Sequence, residues 1–160
     1  MARKRKTRSK PKVSKAEETK SKTDFAVLVS DQSGLFPQGA DQDSIQSAED
    51  SIGLSIPKSL QSFLRWRDGG TFAAKRFILF SAGEGIHPDE TLIAANSDRG
   101  SDFPILSIAR DATYDFGFQK SDLSKADPPV YSFAWEMEKP EQVADSLSDW
   151  IKWTEQIASQ

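Results

Sequence analysis

The order in which hydrophobic periods change along this chain constrains its fold more than any single motif. Apolar residues recur at helical spacing near 43–52, 57–68 and 141–158, and strand-like runs lie between them. Helices at the ends with strands grouped in the middle predict an α+β fold whose strands are mainly antiparallel. The first helix is expected at 43–52, with Asp41 or Asp43 as N-cap, Ile45, Ala48 and Ile52 on its inner face, and Gly53 as a left-handed end. Pro57 suits the first turn of a second helix, whose inner face carries Leu60, Phe63 and Leu64. A short helix from Pro88 would bury Leu92, Ile93 and Ala95. The last helix carries Val143, Leu147, Trp150, Ile151, Thr154 and Ile157 along one stripe.

The second helix runs into Asp68-Gly69-Gly70, and a phenylalanine-rich run follows. A phosphate cradle needs the reverse order, strand then glycines then helix, with Lys-Ser or Lys-Thr at its end. Here no lysine follows until Lys75, so the glycines read as a turn that passes the chain from a helix to the first strand. Gly83 and Gly85 in "AGEGIHPD" enclose a carboxylate and also read as a turn. Strands are expected at Phe77 to Phe80, Ile105 to Ala109, Tyr114 to Gln119 and Val130 to Glu136.

Side chains alternate across a strand, so two of these runs have faces of different character. In "TYDFGFQ", Tyr114, Phe116 and Phe118 oppose Asp115, Gly117 and Gln119. In "VYSFAWE", Tyr131, Phe133 and Trp135 oppose Val130, Ser132, Ala134 and Glu136. The simplest arrangement packs both aromatic faces under the helices and leaves the small, partly acidic faces open. Such a face, with Asp115 and Glu136 and with Glu138 beyond it, accepts a partner's basic side chains or is simply solvated. Trp66 and Trp153 fall at the edges of their helical stripes and serve either to cover the core or to anchor a partner.

Charge divides the chain in two. Residues 1–22 carry ten Lys or Arg against two Glu, a net of +8, whereas residues 23–160 carry eleven against twenty-two, a net of -11. Residues 1–23 lack the apolar side chains needed to offset ordering entropy and read as a disordered basic tail. Such a tail makes non-specific contact with nucleic acid or ribosomes, or only keeps the chain soluble. Residues 24–40 read as a loosely structured lead-in pinned by Leu35 and Phe36, and residues 41–160 as the folded domain.

Chemistry is sparse. With no cysteine, disulfides and thiolate metal sites are excluded, and a reducing, cytoplasmic setting is expected. The single histidine, His87, sits in a Gly- and Pro-rich loop beside Asp89 and Glu90, with no nucleophile to serve. "DRGSD" at 98–102 lacks the ligand pattern of a calcium loop. The longest early apolar run, Phe25 to Val29, is too short for a signal peptide or a membrane span. These readings predict a protein with no catalytic residues, no metal and no cofactor, and no association with membrane.

Several pieces occur in an order that resembles the SUKH superfamily, which includes the Smi/Knr-type cell-wall assembly regulators. "SIQSAEDSIGLSIPKSLQSFLRWRDGG" looks like the family's opening, "PVYSFAWE" like its late Pro-Val-Tyr strand, and "VADSLSDWI" like its final helix; together they span about residues 44–155. Asp68 stands where the family usually has Asn. The resemblance implies binding rather than catalysis. Many bacterial members are immunity proteins that neutralise a cognate toxin, often a nuclease, and fungal relatives act as signalling scaffolds. It implies a domain that binds a toxin, often nuclease-like; the acidic body suits a basic partner, and the faces described above offer Asp115, Glu136, Glu138 and Trp66 as candidate contacts. The alternative is a regulatory scaffold or adaptor whose basic tail directs it to nucleic acid or ribosomes. The glycines of Asp68-Gly69-Gly70 are then a fold signature.

Overall fold

The computed structural model describes residues 25–29 and 36–160. The expected basic tail, and Leu35 of the lead-in, lie outside the described residues. From residue 42 onward the chain forms helices α1 (Gln42–Ile52), α2 (Lys58–Trp66), α3 (Leu92–Ser97) and α4 (Leu147–Ala158). Strands β1 (Gly70–Phe72), β2 (Phe77–Leu79), β3 (Ile105–Arg110), β4 (Asp115–Gln119), β5 (Val130–Phe133) and β6 (Glu141–Ala144) make one sheet in the order of the sequence. Every pairing is antiparallel. The α+β architecture expected from the periodicity is therefore the one the chain adopts.

Local chemistry sets the helix ends. Asp41 caps α1 by accepting the Ser44 amide at 2.8 Å, which draws its carboxyl below the usual range. Gly53 ends the helix at φ 74, the left-handed conformation that an L side chain resists. Glu49 on α1 then accepts the Ile56 amide at 2.8 Å. This side chain braces the connection into α2, a role the sequence pattern did not reveal.

The core is one cluster of the sheet with all four helices, and α4 supplies its largest side chain. Trp150 is fully buried, and its ring meets Phe72, Phe77 and Phe116 at centroid distances of 5.6, 6.0 and 5.3 Å. Helix α3 ties itself to the sheet through Asn96. Its amide donates to Ser107 O at 2.9 Å, and its carbonyl accepts the Ser107 N–H at 2.9 Å. Asn96 thus satisfies backbone groups of β3 beside an irregularity between Ser107 and Ala109.

Four expectations need correction. The short helix expected from Pro88 begins only at Leu92, where the Thr91 hydroxyl caps it, and of Leu92, Ile93 and Ala95 only Leu92 is buried. Residues 141–144 form strand β6, and the last helix begins only at Leu147, because the Ser146 hydroxyl accepts the Asp149 amide at 3.0 Å and caps it there. Val143 consequently belongs to a sheet edge and not to the helical stripe. Strand β5 ends at Phe133, so Trp135 and Glu136 lie beyond it. Its inward face is also the reverse of the expected one: Val130 and Ser132 are buried, whereas Tyr131 and Phe133 are only half-buried on the other side. The register explains this. Phe116 stands opposite Ser132, and Gly117 opposite Tyr131, so each large ring faces a small residue across the strands. Strand β1, three residues long, gave no periodic signal of its own.

Within the stretch 24–40, residues 25–28 form a helical turn, and Phe25 and Val29 are buried. Phe25 stacks on Trp66 with centroids 6.2 Å apart and meets Phe63 edge-on at 5.1 Å. Phe36 also packs against Trp66, at 6.3 Å.

Asp68 is buried, and its carboxylate reaches across to the loop after β2. It accepts the amides of Ala82 at 2.6 Å and Gly83 at 3.0 Å. A carboxylate satisfies both donors, whereas an Asn amide offers only one acceptor oxygen. Burial pushes the Asp68 carboxyl above its ordinary range; the two amides pull the other way without reversing it. The folded state therefore holds the Asp68 proton more tightly than the unfolded chain does. Its contribution is fully present below the unfolded carboxyl value and is lost as pH rises through the raised folded value. Urea unfolding of wild type and Asp68→Asn across the acid range should show the stability of wild type relative to the variant falling as pH rises. A difference that grows with pH would show that the two amides outweigh burial.

Candidate functional site

A groove of about 630 Å³ opens on the face of the sheet opposite α4. Its walls come from the end of α3 and the loop after it, from the β3–β4 turn, and from the end of β5. The alternation of β4 puts Phe116 into the core and turns Asp115 outward, beside Phe133 of β5.

The floor is organised around a guanidinium. Arg99 follows α3 and forms an ion pair with Asp115. Its Nε–H donates to Ala95 O at 3.1 Å, and its guanidinium lies over the Phe103 ring, 4.4 Å from the centroid. Phe103 in turn meets Phe133 edge-on at 5.0 Å. The β3–β4 turn is fixed by Asp111, whose Oδ1 accepts the amides of Thr113 at 2.8 Å and Tyr114 at 2.7 Å. Arg110 also lines the groove, with its guanidinium over the buried Phe80 ring at 4.7 Å.

The rim is aromatic and acidic. Tyr114 is 40% exposed and Trp135 is 98% exposed, the two most exposed aromatic side chains among the described residues. Asp98 and Asp111 line the groove, and neither forms an ion pair among the described residues. A second, more open hollow of about 880 Å³ is lined by Asp41, Asp43 and Glu84 but by no aromatic ring.

The four candidate contact residues do not form one surface. Asp115 lies in the groove and is matched by Arg99, so it is not a free carboxylate. Glu136 and Glu138 are exposed in the segment that follows Trp135, off the sheet face where alternation put Glu136. Trp66 is on α2, does not line the groove, and is covered by Phe25 and Phe36 of its own chain, with Arg67 over its ring at 5.3 Å. Reading the residues in order missed Arg99, Phe103, Phe133 and Trp135 as groove components. Alternation did single out the aromatic face of β5, but assigned it to the core.

His87 is exposed in its loop. Among the described residues, no group of three or more His, Asp or Glu side chains is placed to hold a metal ion. No helix among them is long and apolar enough to cross a membrane.

No curated protein matches this chain at a significant level. A family model does match, the SMI1 / KNR4 family (SUKH-1), over residues 39–153. The match covers α1 through most of α4, including the Asp68-Gly69-Gly70 turn and every wall of the groove. On the extent of that match, the chain belongs to the SMI1 / KNR4 family (SUKH-1).

Proposed function

We propose that this domain is a protein-binding module of the immunity type, which neutralises a cognate toxin by docking it on the groove face. The observation that carries the reading is Trp135, 98% exposed at the mouth of a groove of about 630 Å³. An indole left in water at a concave rim gains most by being covered, and Trp is enriched among the residues that dominate binding energy. The net charge of -11 over residues 23–160 favours a basic partner such as a nuclease and speeds the encounter. Family membership agrees with a binding role.

The test pairs the full chain with any toxin domain whose gene is found beside its own. Co-expression should restore growth, and the purified pair should form a complex. Trp135→Ala should weaken that complex roughly 30-fold or more, the equivalent of about 2 kcal/mol, with an unchanged melting temperature because the side chain is exposed. Full affinity in the variant would remove the groove from the interface. A complex that forms without protecting growth would favour a scaffold over an immunity protein.

A further inference from the structure

We propose that the groove takes an arginine side chain of the partner, held beside Trp135 and Tyr114. The inference rests on the protein-binding reading and adds the chemistry of the contact. Its basis is a guanidinium that the groove already holds. Arg99 is gripped by one ring face, Phe103 at 4.4 Å, and by one carboxylate, Asp115. That pair of components suits a planar, weakly hydrated cation better than a compact ammonium, which is strongly hydrated and cannot stack flat on a ring.

Further components of the same two kinds line the same groove. The ring faces are Trp135 and Tyr114, 98% and 40% exposed. The carboxylates are Asp98 and Asp111, neither of which forms an ion pair among the described residues. Asp111 spends Oδ1 on two backbone amides, and its Oδ2 has no hydrogen bond among the described residues.

The charge balance points the same way. Asp115 offsets Arg99, which leaves Asp98 and Asp111 against Arg110 alone. Glu136, which follows Trp135 in the chain, is a further exposed carboxylate outside the groove lining. An incoming cation therefore meets net negative charge, the free Trp135 ring and the exposed part of Tyr114, whose ring also packs against Phe116 at 6.4 Å. An incoming carboxylate would be repelled.

The experiment titrates the ¹⁵N-labelled full chain with acetyl-Gly-Arg-Gly-amide, and with the same peptide carrying lysine or the neutral isostere citrulline. The arginine peptide should shift the Trp135 indole N–H and the amides of Asp111 and Tyr114 saturably. Lysine should bind at least about fivefold more weakly, since it lacks the planar fork, and citrulline should leave the signals in place. Trp135→Ala and Asp111→Asn should each weaken the arginine peptide by about fivefold or more. Asn keeps the oxygen that fixes the turn, so loss in that variant reports the charge.

Equal shifts from lysine and arginine, spread over the acidic surface, would overturn the proposal in favour of charge screening. A toxin complex that depends on Trp135, together with groove signals that the arginine peptide does not move, would also overturn it while sparing the protein-binding reading. Arginine-specific shifts in the groove, with a toxin complex indifferent to Trp135, would support the arginine site and count against that reading.

Discussion

Replacing Trp150 by alanine is expected to cost about 3–5 kcal/mol, the usual range for truncating a fully buried aromatic side chain. Trp150 is 0% exposed and is the ring on which β1, β2 and β4 converge, through Phe72, Phe77 and Phe116. Truncation would leave a cavity bounded by three phenylalanines that are held by strand pairing and cannot collapse into it. Domains of this size are stable by roughly 5–15 kcal/mol, so the loss is a large fraction of the whole. The melting temperature should fall on the order of 10–25 °C.

Trp150→Phe should cost much less, roughly 1–2 kcal/mol, for a specific reason. The Trp150 indole N–H is buried without a hydrogen-bond partner among the described residues. Phenylalanine loses volume but also removes that unsatisfied donor. Chemical denaturation of both variants checks the pair. An alanine variant within 1 kcal/mol of wild type would mean that α4 does not supply the core.

Gly69→Ala is expected to cost about 3–5 kcal/mol, and Gly53→Ala only about 1 kcal/mol. Both glycines sit in the left-handed region, at φ 72 and φ 74. The backbone penalty is therefore shared, and the surroundings differ. A Cβ on Gly69 would lie 2.5 Å from Leu79 O and 2.7 Å from Ser81 N, both backbone atoms at the end of β2. A Cβ on Gly53 would meet nothing within 4 Å. Equal costs, measured by urea unfolding, would show that the Asp68-Gly69-Gly70 turn does not press against the end of β2. The comparison also separates two readings of the double glycine. A ligand cradle would lose binding on substitution, whereas a packed turn loses stability.

Much of the architecture was legible from residue order because the physics behind it is local. Helical and strand periods, the Asp41 cap, the Gly53 end and the helix-turn-strand passage at Asp68-Gly69-Gly70 each depend on a few adjacent residues. The boundary between β6 and α4 was legible in principle too. Ser146 followed three residues later by Asp149 is an N-terminal signature, and it competes with the apolar stripe that begins at Val143.

The candidate site was the least legible part. Alternation divides β5 into two faces, but only cross-strand register decides which face turns inward. That choice was made by volume, Phe116 against Ser132 and Tyr131 against Gly117. It turned Phe133 out of the core and onto the groove side. The Arg99–Asp115 pair spans 16 residues, and the bonds from Asp68 to Ala82 and Gly83 span 14 and 15. No local signal encodes such contacts. The sequence by itself therefore determined the four helices, four of the six strands, and that the body is acidic. Tertiary structure alone decided which faces meet, which charges are neutralised, and that Trp135 is left in water, because those outcomes depend on the volumes and partners that distant segments bring together.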